Sequence, residues 1–476
     1  MLTNPSVYKY EEIVRDISLE MENGSILAGE KLPSLRLMSH RYNCSISVVA
    51  QAYEILEATG FVHSVEKSGF FAVNRPGSPI PSPEKEHFSL ISKEAVPLSV
   101  ISRIITASNE RSIVPLGAGL PDSSYLPLAS LKREINSLMK EMPEILVDYT
   151  DEQGDSGLRQ AVSRIMRFRG VEVEQDDILL TNGCTEALSL AIQSCSSPGD
   201  IIVLESPVFL GLIQLLKELK RRVITIPTSA ETGMDLDALE HVLKKEDVKA
   251  VVMTALFQNP LGFVMPEENR KRAVFLVEKY DTILIEDDIY HDCSFKHLRD
   301  NCLKSYDKSG RVIYCSSFSK TISPAIRVGW ICGGIHHRRC RNLKMAQTLG
   351  GCGLFQKALA NFISSSGYER HILKLQKAMS RQAMEMSALL SRFLPENTAV
   401  SQPQGGYYLW VQLANNIDTL ELFEKALAAG ISIVPGPAFS PEERYHNCMR
   451  ITFASPITSE TEKGIERLSS LISCVT

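Results

Sequence analysis

The stretch SSFSKTISPAIRVGW, residues 316–330, sets Lys320 among small and apolar neighbours and places Arg327 seven positions further on. Two readings meet here. A surface loop whose cations face water is one. The other is a lysine seated where desolvation disfavours its charge, kept as an amine that can form a Schiff base with an aldehyde cofactor. The flanking sequence discriminates between them.

Working outward, short apolar runs alternate with helical patterns: DILLT (177–181), DIIVLE (200–205), RVITIP (222–227), KAVVMT (249–254), TILIED (282–287) and VIYCSS (312–317). That alternation predicts a mainly parallel sheet wrapped in helices. From about residue 350 the pattern changes to a long helix and strands such as GYYLWVQL (406–413) and MRITFA (449–454), a smaller α/β lobe.

The loops that follow the runs carry chemistry. LLTNGCTEAL (179–188) puts Gly183, Cys184 and Thr185 at a strand-to-helix turn, where free backbone amides can hold a phosphate. Phe209 follows the next strand, where a flat side chain stacks on a ring or simply fills the core. Asn259 sits in a Pro-Gly loop, a setting that also suits a turn former. In LIEDDIYHD (284–292) Asp287 leaves an apolar strand directly and Tyr290 follows three residues later. A carboxylate there can hold a protonated pyridine nitrogen; a solvated acidic turn or a metal site are the alternatives, and no His or Cys stands at a familiar ligand spacing for the latter. Ser317 and Arg327 flank Lys320 with a hydroxyl and a guanidinium fork suited to phosphate.

In this order, Tyr149, Gly183-Cys184-Thr185, Phe209, Asn259, Asp287, Tyr290, Ser317, Lys320, Arg327 and Arg450, the chain resembles the fold-type I aminotransferases that use pyridoxal 5'-phosphate, over roughly residues 110–470. SFSKxxxPxxRVGW is the most specific segment. The resemblance implies a seven-stranded, mainly parallel sheet, with Lys320 as the Schiff-base lysine and proton shuttle. It implies that Asp287 pairs with the pyridine nitrogen and that Asn259 and Tyr290 bond the ring oxygen. Phe209 would stack on the ring; Cys184, Thr185, Ser317 and Arg327 would bind the phosphate, with Tyr149 reaching in from a neighbouring subunit. Arg450 would clamp an α-carboxylate, and Gly119, in GAGLPDSSYLP (117–127), would line the entrance. Cys184 stands where Ser or Ala is common in that family, and its backbone amide can still serve.

At the other end, apolar positions in residues 8–22 recur at helical spacing, Pro33-Ser34 opens a short helix, and SISVVAQAYEILEATG (45–60) sets Val48, Val49, Ala52, Tyr53 and Leu56 on one face. FVHSVEKSGFFAV (61–73) alternates around a Ser-Gly turn. Three helices and a hairpin make a winged helix-turn-helix. GEKLPSLRLMSHRYNCSISVVAQAYEILEATGFV (29–62) resembles the GntR type, which implies that Arg36 contacts phosphate, that the helix from Ser45 enters the major groove, and that Lys67, Ser68 and Gly69 touch the adjacent groove. Arg41, His40 and Ser47 are further candidate contacts. Ile46 and Gln51 replace residues that are usually basic, and residues 1–73 hold six Lys or Arg against nine Asp or Glu, so phosphate contacts are few.

RPGSPIPSPEKEHFSLISKEAVPL (75–98) is rich in Pro, Ser and Glu and reads as a linker. The expected organisation is a DNA-binding domain at 1–74, the linker at 75–98, and an aminotransferase-like domain at 99–476 with its small lobe from about 350. A net charge of -5 confines any nucleic-acid surface to a local patch. Eleven scattered cysteines without a CxxC pair indicate reduced thiols, and the sequence shows neither a signal peptide nor a run long enough for a membrane helix. A soluble cytoplasmic protein is expected.

The combination resembles the MocR subfamily of GntR-type regulators. It implies a regulator that binds double-stranded operator DNA and senses pyridoxal 5'-phosphate or an amino compound, as a homodimer for which a head-to-tail domain swap is one arrangement. The alternative is a working aminotransferase of the aminoadipate or kynurenine type with a vestigial DNA-binding module.

Overall fold

In the computed structural model, which describes residues 9–22, 25–26, 30–58, 61–65, 68–72, 92–94, 101–110, 113–295 and 301–475, the first elements are α1 (Lys9–Glu22), α2 (Leu35–Arg41), α3 (Ile46–Ala58), β1 (Val62–Val65) and β2 (Gly69–Ala72). The Ser34 side chain accepts from the Leu37 amide and caps α2. Ile13 and Ile17, one turn apart on α1, are buried with Val49, Ala52, Tyr53 and Leu56 of α3. Each such isoleucine contributes about 1.5–3 kcal/mol by leaving water. The Tyr53 hydroxyl donates to the Pro33 carbonyl at 2.8 Å and ties α3 to the entry of α2. β1 and β2 pair antiparallel, Val62 opposite Ala72, as the small wing expected from the alternation. Lys67 lies outside the described residues, as does most of 75–98.

What is described of that segment joins the next unit. β3 (Lys93–Glu94) pairs antiparallel with β6 (Arg222–Ser229). β4 (Ile178–Thr181), β5 (Ile201–Ser206), β7 (Gly233–Met234), β8 (Val248–Met253), β9 (Ile283–Asp287), β10 (Val312–Ser317) and β11 (Gly329–Cys332) complete a sheet of order β3-β6-β5-β8-β9-β10-β11-β4, with β7 on β6. Its body is the expected seven strands, and the two-residue β3 and β7 at one edge bring it to nine. Neighbours from β6 to β10 run parallel; β11 runs antiparallel to both β10 and β4.

The strands read as unbroken apolar runs because both faces are covered. Ile202 and Leu204 face one core with the helix Cys184–Cys195, while Ile201 and Val203 face the other with the helices Leu236–Lys245 and Glu267–Lys279. β11 was concealed in the sequence because its first two residues, Gly329 and Trp330, close the RVGW segment. A Cβ on Gly329 would stand 2.6 Å from the Ser316 carbonyl oxygen and 2.7 Å from the Gly183 backbone, so only glycine lets β11 approach the turn after β4.

Beyond the 28-residue helix Ser366–Phe393, β12 (Ala399–Val400), β13 (Tyr408–Gln412), β14 (Val434–Pro435) and β15 (Cys448–Thr452) form a separate antiparallel sheet ordered β12-β13-β15-β14. Residues 113–122 run along this lobe, with the Thr452 amide donating to Leu116 and the Asp122 amide to Ala454. That path carries the carbonyls of Gly117 and Gly119 toward the carboxyl ends of the parallel strands, where ligands of open α/β sheets bind.

Candidate functional site

At the end of β4, Gly183 (φ 87) opens the helix Cys184–Cys195 and leaves its first amides without intrahelical partners. Arg327 lies across this turn, donating from Nη2 to the Asn182 carbonyl at 3.0 Å. A Cβ on Gly183 would stand 2.3 Å from that nitrogen, so the missing side chain is what admits the guanidinium. Arg327 itself has φ 51, a left-handed conformation that a non-glycine residue adopts at a cost. Its Nη1 donates to Ser319 Oγ at 3.4 Å, and the Ser319 amide donates to Ser317 Oγ at 3.3 Å. Helix amides, two serine hydroxyls, exposed Thr185 and a guanidinium therefore converge on one spot, a cradle suited to a phosphate dianion.

Asp287 ends β9 beside this cradle. Burial pushes its carboxyl up to about 6, while the Cys184 thiol, which donates to Oδ1 at 3.3 Å, and Lys320 work in the opposite direction. A buried carboxylate whose side-chain hydrogen-bond donor among the described residues is a thiol lacks a cation of matching strength, and a protonated ring nitrogen supplies one. Glu286 and Asp288 alternate to the far side of the strand. Glu286 accepts from the Leu303 and Lys304 amides at 2.6 and 2.9 Å, and Asp288 accepts from the Tyr314 hydroxyl at 2.9 Å and pairs with His291 at 2.7 Å. These two carboxyls stand close to Cys302, all three buried. The EDD triplet is thus not a solvated turn: its outer members brace the loops behind the site.

On the opposite wall, Arg450 of β15 is 4% exposed. It donates from Nη1 to Asn259 Oδ1 at 3.1 Å and from Nη2 to the Gly117 carbonyl at 3.0 Å, and its Nε has no partner among the described residues. The guanidinium lies 4.1 Å from the centroid of the Tyr408 ring. Arg450 pairs with Trp410 across β13 and β15, so Tyr408 is its diagonal neighbour on the same face. Lys320 is half-buried, and its Nζ donates to the Gly119 carbonyl at 2.5 Å and stands 5.5 Å from the centroid of Tyr290. Tyr290 is buried, its phenol driven up by that burial, and its hydroxyl meets that of Tyr408 at 3.1 Å. Burial also works to raise Tyr408, but Lys320 and Arg450 bring it below the ordinary phenol value.

Lys320, Asp287, Tyr290, Asn259, Arg450, Gly119, Cys184, Ser317 and Arg327 are thus gathered around one region, with Phe209 half-buried at the head of the helix Leu210–Glu218. Tyr149 is 90% exposed in this chain. The sequence reading missed Tyr408, Tyr407, Ser319 and the Gly117 carbonyl. Tyr407, whose hydroxyl donates to the Lys320 carbonyl, and Tyr408 were legible only as members of an apolar strand.

At the candidate DNA surface the Ser45 and Ser47 hydroxyls bond one another at 2.8 Å, and Ile46 is 47% exposed between them. Arg36 is exposed on α2, whereas Arg41 is engaged with Glu20 at 2.8 Å. Ser68 and Gly69 (φ 110) form the wing turn. α3 carries two glutamates and no Lys or Arg.

Residues 111–468 match the aminotransferase class I and II family and residues 9–72 match the gntR family of bacterial regulatory proteins. The chain belongs to the aminotransferase class I and II family and carries a GntR-type winged helix in front of it, the organisation of MocR-type regulators. It is 31% identical to an uncharacterized HTH-type transcriptional regulator of Escherichia coli K12, YjiR, over 98% of both chains. It is 32% identical to aromatic-amino-acid aminotransferase 1 of Thermococcus litoralis, over 79% of this chain and 91% of that one. Among solved structures it is similar to LysN, the α-aminoadipate aminotransferase of Thermus thermophilus, complexed with N-(5'-phosphopyridoxyl)-L-leucine, with a TM-score of 0.74 and 26% identity over 79% and 95% of the two chains. No helix among the described residues is long and apolar enough to cross a membrane.

Proposed function

We propose that this chain is a DNA-binding transcription regulator whose aminotransferase-like domain binds pyridoxal 5'-phosphate and an amino compound. The single observation that carries the reading is that a winged helix and the gathered Lys320, Asp287 and Arg450 set occupy one chain aligned end to end with a transcriptional regulator. The residues fit the cofactor: the space left by Gly183 admits Arg327 to the phosphate cradle, and Asp287 is a buried carboxylate in want of a cation. When bound, the cofactor supplies an aldehyde for covalent capture and an electron-withdrawing ring.

Lys320 would present its amine to the aldehyde end of the cofactor, and Asp287 would keep a proton on the ring nitrogen. Arg450, already aligned by Asn259 and Gly117, presents a guanidinium to a carboxylate. Tyr149, too exposed to act in its own subunit's site, serves the site of a second copy, which makes the working unit a homodimer. A ligand alters DNA binding only by favouring one arrangement of the paired winged helices over another.

The test is binding of fluorescent duplex DNA taken from upstream of the protein's own gene, with and without pyridoxal 5'-phosphate. Wild type is expected to bind at low salt, and Arg36→Ala to weaken binding to all sequences alike while reducing the salt slope by about one contact. Absence of any shift at low salt in both cofactor states sinks the regulator reading.

A second reading, active transamination, is supported by the proximity of Lys320, Asp287 and Arg450 and by likeness to two named aminotransferases. Conversion of a panel of amino acids to oxo acids tests it separately.

A further inference from the structure

Two phenols and one carbonyl meet beside the Lys320 amine, and their protons can be counted. The Gly119 oxygen can only accept. It receives the Lys320 amine at 2.5 Å and the Tyr408 hydroxyl at 2.9 Å. A phenol owns one proton, so Tyr408 has spent its own on Gly119. At the 3.1 Å contact between the two phenols Tyr290 is therefore the donor and Tyr408 the acceptor. The Tyr408 ring cannot readily swing aside, because it is 2% exposed, packed edge-on against Tyr290 at 5.9 Å and covered by the Arg450 guanidinium.

We propose that Tyr408 is a positioning residue that draws on the single proton of Tyr290 and so sets how strongly Tyr290 can donate to a ligand held at Lys320. The inference rests on the function proposed above, in which Tyr290 donates to the ring oxygen of the cofactor. That oxygen and the Tyr408 hydroxyl compete for one proton. Where Tyr408 holds it, the anionic form of the ring oxygen is less stabilised, and the cofactor gives up its visible-absorbing protonated form at a higher pH. The Tyr408 ring is also the platform of the carboxylate-binding Arg450, so one side chain touches both halves of the site.

The experiment is a pH titration of the visible absorbance of protein loaded with pyridoxal 5'-phosphate, for wild type, Tyr408→Phe, Tyr290→Phe and the double variant. Tyr408→Phe keeps the ring and its packing under Arg450 while deleting the acceptor, and it is expected to lower the titration midpoint by on the order of half a pH unit or more. In the Tyr290→Phe background the same substitution is expected to move the midpoint by less than about 0.2 unit, since the proton in contention is gone. A Tyr408→Phe midpoint equal to wild type overturns the inference, and so does a shift of equal size with Tyr290 absent, which marks a merely structural role. If wild type acquires no chromophore at all, the cofactor reading fails first and this inference fails with it, so the two failures are distinguishable.

Discussion

Asp287→Asn is expected to weaken retention of pyridoxal 5'-phosphate by on the order of 100-fold and, in the same variant, to make the cofactor-free protein more stable than wild type above pH 6. Both effects share one cause. Removing one partner of a buried charged hydrogen-bonded pair costs about 2–5 kcal/mol, and every 1.4 kcal/mol is about tenfold in affinity. Without cofactor the sign reverses. The folded chain holds the Asp287 proton up to about 6, whereas the ordinary carboxyl releases it near 3.8. A native state that binds more protons than the unfolded one loses stability as pH rises, so the deficit grows between those two values and persists above 6. Asparagine removes it. Melting temperatures at pH 4 and pH 7.5, with and without cofactor, should therefore cross: variant above wild type only when cofactor-free at pH 7.5, and well below it when loaded. A variant less stable than wild type in the cofactor-free state at pH 7.5 contradicts the burial argument for Asp287.

Arg450→Ala is expected to abolish discrimination between an α-amino acid and the amine that lacks its carboxyl group. The guanidinium is held by Asn259 and Gly117 with a nitrogen unpartnered among the described residues, and it is buried where a carboxylate feels it strongly. Loss of that charge should raise the Kd of L-leucine by on the order of 100-fold, leave that of isoamylamine within about threefold, and spare the cofactor. Arg450→Lys should not restore the preference, because a point charge cannot reproduce the fork. Titration of the cofactor absorbance with each ligand measures both constants. Equal weakening of acid and amine would mean that Arg450 supports packing alone.

The division between what the sequence discloses and what it conceals follows from where the information lies. Strands β4, β5, β6, β8, β9 and β10 were legible because a strand buried on both faces calls for apolar residues in succession, and 201–204 and 283–285 are apolar throughout. β11 was not, since its four residues follow directly on the loop that carries Arg327. Lys320, Asp287 and Arg327 declared themselves by departing from apolar runs or by their spacing. Tyr408 did not, because a tyrosine within YLWV looks like core, and its role arises only from the fold that brings residues 119, 290 and 450 to it. The Gly117 carbonyl is a backbone group and leaves no mark in a side-chain pattern, and Gly119 was reached through the family resemblance alone. For the winged helix the apolar spacing on α1 and α3 sufficed for the fold, while the engagement of Arg41 by Glu20 is a contact between helices that composition does not announce.

Capture of an aldehyde by the Lys320 amine is the claim on which the large domain's reading turns, and it is open to one direct measurement. Purified protein is incubated with pyridoxal 5'-phosphate, reduced with borohydride, digested and examined by mass spectrometry. The expected result is a single phosphopyridoxyl adduct on the peptide containing Lys320, absent after Lys320→Ala. Unmodified Lys320 in protein that has been given excess cofactor, or an adduct spread over surface lysines and unchanged by Lys320→Ala, contradicts it.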